Sequence, residues 1–176
     1  MVSQERRIKL YNSIVKSTLL YNSGTWGLTK HDEKKLNTFH RKQLKQVSGI
    51  KWPHRIRSIT LYETTKTVPI TYEITKRRWK LFGHVLRMPA ESPARKSMKF
   101  FFEKTPLVKY SGRKRASIIT TLNRDIRRTK ALQPRFDISE IKSEIDLHNV
   151  RVKATNRRLW KKRIEQVVSA AYSDMS

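Results

Sequence analysis

The sequence predicts an all-α chain: a small helical bundle, then a basic linker, then a helical C-terminal extension. Two observations carry this. Apolar residues recur at 3.6-residue spacing through most of the 176 residues. Pro and Gly mostly fall between those stretches, where they punctuate helices. No sustained period-2 alternation competes, apart from a few residues in "MKFFFE" and "TPLVKY" within 98–110.

The first helix is expected over 5–22, with Ile8, Tyr11, Ile14, Val15 and Leu19 on one side. "NSGTWG" (22–27) is the turn that follows. Thr29 then suits an N-cap, with Asp32 three residues on and Glu33 beside it, both acids favourable at a helix N-terminus. The second helix runs to about Val47 with Leu36, Phe39, His40, Leu44 and Val47 as its apolar stripe. Gly49 and Pro53 break it. A short third helix covers 54–66 around Ile59, Leu61 and Tyr62, Pro69 interrupts, and a fourth runs over 70–88 until Pro89 stops it. These helices make up the bundle, 1–88.

Residues 89–115 change character. Pro89, Pro93, Pro106 and Gly112 punctuate them, and eight basic residues face two acids. They read as a basic linker in which "MKFFFEKTPLVKY" forms a short hairpin or docks on a neighbour. The extension, 116–176, begins with a helix over 116–132. Asp137 and Glu140 suggest a capping box for 138–149, and a last helix covers 154–172 with Trp160, Ile164, Val167 and Ala171 on one stripe.

Charge dominates the composition: 40 Lys and Arg against 14 Asp and Glu, a net +26. A chain this basic repels itself and attracts polyanions, nucleic acid first and anionic membrane second. No run of 18 apolar residues is present, so no segment reads as a membrane span. The absence of cysteine removes disulfides, zinc knuckles and thiol nucleophiles. The N-terminus is basic and amphipathic, as mitochondrial transit peptides are, but its pattern continues into "NSGTWGLTKHDE" without a cleavage-like break.

Three basic clusters are candidate nucleic-acid-binding sites. In "RRWKLFGHVLRMP" (77–89), Ile70, Ile74, Leu81, Val85 and Met88 share one helical face, flanked by Phe82 and Leu86. Lys76, Arg77, Lys80, His84 and Arg87 occupy an arc of roughly 100° on the other side. Gly83, costing roughly 1 kcal/mol against Ala inside a helix, projects to the edge of that arc beside Trp79. One reading lets a phosphate backbone approach at Gly83 while Trp79 stacks on a base. The other lets the 30–47 helix pack closely on Gly83, the charges being a solvated face. The second cluster is Arg113, Lys114 and Arg115, which suit a phosphate clasp or a nuclear-localisation patch. The third is "NRRLWKKR" (156–163), where Arg157 with Lys161 and Arg158 with Lys162 place like charges one turn apart. Such pairs are destabilising, and an anionic partner would relieve them. Trp160 reads as core.

Catalytic chemistry finds little support. The acids are scattered, without an adjacent Asp-Asp pair to hold magnesium for phosphoryl transfer. His31, His40, His54, His84 and His148 lack metal-ligand spacing. "HDE" at 31–33 reads as helix N-terminal charge, and no Ser stands in a Gly-x-Ser-x-Gly setting. His40 and His84 read as buried, hydrogen-bonded side chains at stripe edges. No cofactor or metal is expected.

The order of segments resembles one family. "YNSIVKSTLLYNSGTW", "LTKHDEKKLNTFHRKQLKQVSGIKWPHRI", "LYETT" and "PITYEITKRRWKLFGHVLRMP" are similar to the region after the catalytic palm in non-LTR (LINE-like) retrotransposon reverse transcriptases. That family shows an "LLYGSETW" turn, an "LxxFHRRxLRxILGIxW" helix and an "RRxRWLGHVLRM" helix. The likeness covers roughly residues 8–89 and is specific in order and spacing. Downstream, "GRKRASI" (112–118) stands where the family often has "GRPRxTW", with Lys114 for the proline and Ile118 for the tryptophan. "NRRLWKKRIEQV" echoes an "RxRWRxxV" ending. Gly24-Thr25 replace the family's usual Glu in the turn.

The resemblance implies a thumb-like helical region and its C-terminal extension, which in the family hold template RNA and primer–template duplex. It also implies a fragment: the family's catalytic Tyr/Phe-x-Asp-Asp motif lies upstream and does not occur in this sequence, nor does the endonuclease. The leading expectation is therefore a non-catalytic module that binds RNA or DNA backbone, together with the rest of a reverse transcriptase where one is present. The alternative is a degenerate interaction module that docks on a polymerase core without a nucleic-acid role of its own. A basic amphipathic membrane-surface protein is the third reading.

Overall fold

The structure, a computed structural model, describes residues 2–51, 53–103 and 116–173. Helix follows helix: α1 (Gln4–Leu10), a π-helical turn (Tyr11–Lys16), α2 (Ser17–Leu19), a 3₁₀ turn (Ser23–Thr25), α3 (Lys30–Val47), α4 (Ser58–Thr64), α5 (Ile70–Arg87), α6 (Pro93–Glu103), α7 (Ile118–Leu132), α8 (Glu144–Thr155) and α9 (Arg157–Ser173). No strand occurs among the described residues, and the chain is all-α as its periodicity predicts.

Local signals explain most boundaries. Asn22 adopts a left-handed conformation (φ 51°), which Asn tolerates better than most residues, and starts the expected turn. Thr29 caps α3 in a full capping box. Its N–H and hydroxyl donate to Asp32 Oδ2 at 2.9 and 2.6 Å, which holds the Asp32 carboxyl below its ordinary pKa. Ser117 caps α7 and Ser143 caps α8 in the same way.

Several expectations are corrected. The π turn breaks the 3.6-residue period of the first helical stretch. Tyr11 and Leu20 are buried while Ile14 and Val15, expected on the same stripe, stand 61% and 41% exposed. Phe39, expected in the α3 stripe, is 41% exposed, and Asn37 is buried instead. Residues 98–103 belong to helix α6 and not to a hairpin; "TPLVKY" lies outside the described residues. Asp137 and Glu140 do not cap a helix. The segment 136–141 is non-helical and buries Phe136, Ile138 and Ile141, and the capping box sits at Ser143 and Asp146.

Helix α5 organises the packing. Ile70 and Ile74, near its start, close a small cluster with Leu20, Leu36 and Trp26. Trp79, Phe82 and Leu86 enter the largest cluster, which α7, α8 and α9 complete with Leu122, Ile126, Leu147, Val150, Trp160, Ile164 and Val167. The two sides of the 89–115 segment therefore share one apolar core. A third cluster joins Tyr11, Leu44, Leu61 and Tyr62.

Gly83 has a definite reason. It is buried, and a Cβ placed on it would lie 2.1 Å from Trp160 Nε1 and 2.6 Å from Cε2. The Trp160 indole fills the space that the missing side chain leaves, and its N–H donates to the Trp79 carbonyl at 3.2 Å. An α-helix carbonyl at that position already accepts the Gly83 N–H; only a residue without a side chain leaves it open to a second donor. Trp79, Phe82 and Trp160 form an aromatic cluster with centroids 5.6–6.1 Å apart. The partner of Gly83 is thus α9 and not the 30–47 helix.

Next to it lies a buried ion pair. Arg78 and Asp125 are each 1% exposed at their side chains; Arg78 Nη1 donates to Asp125 Oδ2 at 2.7 Å, and Trp79 Nε1 donates to the same oxygen at 3.0 Å. One carboxylate of α7 thus holds two consecutive residues of α5.

His40 is fully buried between Tyr11 and Tyr62, whose rings stack with it at 5.7 and 6.0 Å. Its Nε2 lies 3.1 Å from the Val68 carbonyl, which can only accept, so Nε2 carries the proton and Nδ1 accepts from the Tyr11 hydroxyl at 2.7 Å. Burial lowers the imidazole pKa to about 4 and raises the Tyr11 phenol to about 12.

Three outcomes test this packing. Gly83→Ala should lose about 1–3 kcal/mol of stability through overpacking against a ring that cannot swing away, read as a lower urea midpoint at unchanged slope; a gain would contradict the packing role. Asp125→Ala should cost about 3–5 kcal/mol by stranding the Arg78 cation, while Arg78→Met with Asp125→Leu should recover most of it. The neutral His40 is favoured by folding, so its contribution is intact above its unfolded pKa near 6.5. As pH falls from there to about 4, up to about 3 kcal/mol should be lost. His40→Gln should flatten that part of the pH–stability profile.

Candidate nucleic-acid interface

The arc read from the α5 helical wheel is largely present. Lys76, Arg77, Lys80 and His84 are exposed, and Arg87 is half-buried. Two members of the predicted site are corrected. Trp79 is fully buried with its N–H on Asp125, so its ring offers no stacking face, and Gly83 lies beneath Trp160, so no phosphate reaches it. His84, expected also as a buried side chain, is exposed. Arg77 is turned towards the turn before α3, where its Nη1 donates to the Leu20 carbonyl at 3.1 Å. The cluster Arg113, Lys114 and Arg115 lies outside the described residues.

The third cluster divides. Arg157, Arg158, Lys161 and Lys162 are all exposed on α9, while Trp160 turns inward as expected. Helical geometry puts Arg157 and Lys161 on one flank and Arg158 and Lys162 on another, about 100° away. Lys162 lines a shallow depression with Arg135, Asp137 and Glu165. Arg157 lies on the side of Arg87, whose Nη1 donates to the Ala154 carbonyl at 3.0 Å.

The Gly83–Trp160 contact therefore joins two clusters separated by about seventy residues of sequence. Lys80, His84 and Arg87 follow its α5 side; Arg157 and Lys161 follow its α9 side. Desolvation first, and the nearby positive Arg157 second, lower the Arg87 pKa from its ordinary value. Burial is thus the larger cause, with Arg157 close enough to add to it.

Acids do not offset these cations. Among the described residues, none of Lys76, Lys80, Arg157, Arg158, Lys161 and Lys162 forms an ion pair. Glu165, the one acid of α9, forms none with Lys161. The carboxylates that do pair are engaged elsewhere, among them Glu73 with Lys16 at 2.6 Å, Asp125 with Arg78, Asp137 with Arg163 at 2.6 Å, and Glu33 with Arg124. Arg163 hydrogen bonding is the main cause holding the Asp137 carboxyl below its ordinary pKa.

The residues that the sequence reading missed are Arg78 and Asp125. Arg78 sits in the same "RRWK" run as the arc, and its 100° turn from Arg77 was the available signal; nothing local in "NRDIRR" (123–128) marks Asp125 as its partner. Among the described residues, no group of three or more His, Asp or Glu could hold a metal ion, and no helix is long and apolar enough to cross a membrane. No protein-family profile, no curated protein and no solved structure matches the chain.

Proposed function

We propose that the chain is a non-catalytic helical module that binds the phosphate backbone of RNA or DNA along the α5–α9 seam. The observation that carries this is the meeting of the α5 and α9 basic runs at the Gly83–Trp160 crossing, where Arg87 lies near Arg157, with no ion pair on Lys80, Arg157 or Lys161 among the described residues. Backbone contact by Lys and Arg releases condensed counterions, so affinity would be sequence-independent and steeply salt-dependent. The resemblance to the thumb region of non-LTR reverse transcriptases supports the same reading and adds template or primer–template as the ligand and a polymerase core as neighbour. With Trp79 buried, the seam offers no base-stacking platform and contacts backbone alone.

A second reading, docking on a protein such as a polymerase core without a nucleic-acid role, is favoured by the exposed Leu10, Ile14 and Val15 near the N-terminus. It predicts no retention on nucleic acid.

Fluorescence anisotropy with labelled RNA and DNA over a salt series separates the two. Replacing Lys80, Arg157 and Lys161 together by Gln should weaken binding to every sequence alike. It should flatten the slope of log K against log salt by about 2 to 3 units, at roughly 0.7–0.9 per lost contact. An unchanged slope would overturn the seam as the interface. Stronger retention on anionic vesicles than on either nucleic acid would favour a membrane surface instead.

A further inference from the structure

A cleft of about 250 Å³ opens where α3, α5, α7 and α9 meet. Lys30, Lys34 and Arg41 line it from α3, at spacings that keep them on one side of that helix, and Arg128 lines it from α7. Glu33 is the one carboxylate in the lining. It is already engaged by two guanidiniums, Arg124 and Arg128, the latter at 3.5 Å. The floor is polar and fixed: Asn37 Nδ2 donates to Thr71 Oγ1 at 2.9 Å, and the Thr71 N–H donates back to Asn37 Oδ1 at 3.3 Å. Among the described residues, Lys30 and Lys34 form no ion pair.

We propose that this cleft binds a phosphomonoester, the dianionic end group of a nucleotide or of a nucleic-acid strand. Charge supports it. Lys30, Lys34 and Arg41 line the wall beyond Arg128, which with Arg124 already holds the one carboxylate, an excess of three cations that a singly charged internal diester leaves largely unmet. A monoester carries about −1.5 to −2 at pH 7. The chemistry fits, since guanidinium and ammonium groups bind phosphate oxygens through charge-assisted hydrogen bonds. Size agrees. The volume is that of roughly eight waters at ~30 Å³ each, enough for a phosphate and the first atoms of its ester, and residues from four helices line it.

The cleft lies at the Thr71 end of α5, about 18 Å along the helix from Gly83 at 1.5 Å per residue. It is thus separate from the seam, and the inference does not depend on the seam binding nucleic acid.

The test uses the full chain. Inorganic phosphate and a nucleoside 5′-monophosphate are titrated calorimetrically, with dimethyl phosphate as the diester control. Both monoanion-to-dianion ligands should bind saturably and the diester should not. Lys30→Gln with Lys34→Gln, both at exposed positions, should weaken monoester binding about tenfold or more while the melting temperature holds. Replacing Lys80 and Lys161 by Gln should leave it unchanged. Short oligonucleotides with and without a 5′-phosphate then distinguish the sources. A preference for the phosphorylated end identifies a strand terminus as the ligand, and equal binding identifies the free monoester. Absence of saturable monoester binding, equal binding of the diester, or an unaffected Lys30→Gln/Lys34→Gln protein would overturn the proposal.

Discussion

The seat of the Trp160 indole on Gly83 is the contact on which the rest of the molecule depends. It sets how closely α9 approaches α5, and that approach decides two things at once. Inward, it completes the aromatic cluster of Trp79, Phe82 and Trp160. Outward, it draws the α5 and α9 cations into one field. A larger residue at position 83 would push the helices apart, shield the Trp79 carbonyl and separate the charges. The glycine costs helix propensity locally and is retained because the loss is offset by burial and a hydrogen bond that no other residue permits.

The same helix separates its charged groups by environment. Arg78 is sealed from solvent against Asp125, whereas Lys76, Arg77 and Lys80, within two residues of it, are exposed. Carboxylates are scarce in this chain, and the least exposed pairs among them join elements: Glu73 to the N-terminal helical stretch, Asp125 between α7 and α5, and Asp137 between the 136–141 segment and α9. The net charge of +26 is therefore concentrated on the outside by architecture as well as by composition. Such a surface costs stability through self-repulsion and gains it back on meeting a polyanion.

Much of the fold was legible because its signals are local. The Thr29 capping box, the α5 span ended by Pro89 and the inward turn of Trp160 each follow from short-range periodicity and capping chemistry. What was not legible depends on partners distant in sequence. The π turn at Tyr11–Lys16 shifts the buried register with no composition signal, and the non-helical segment 136–141 buries three large residues in a stretch that looks like a helix start. At the candidate site the wheel gave most of the exposed arc, Arg87 excepted, since solvent exposure on a helix is periodic. It gave Trp79 and Gly83 wrongly, since the wheel shows a direction but not what lies there: an indole from a position 77 residues later. His40 illustrates the middle case, where the stripe indicated burial but only the Val68 carbonyl fixes the tautomer.

The long reach of these contacts bears on how the chain is made. Arg78 and Trp79 wait for Asp125, more than forty residues downstream, and Gly83 waits for Trp160. Domains acquire structure as they leave the ribosome, at a few to tens of residues per second. For several seconds of synthesis, then, α5 presents an unmatched guanidinium and an uncovered aromatic groove. The Trp79 and Phe82 side of α5 waits for the last helix, while the Tyr11–Leu44 and Leu20–Ile70 clusters need nothing made after α5. Ribosome-bound chains stalled before residue 125, between 125 and 160, and beyond α9 would pass through three compactness levels, with the final one reached only when the indole can close over the glycine.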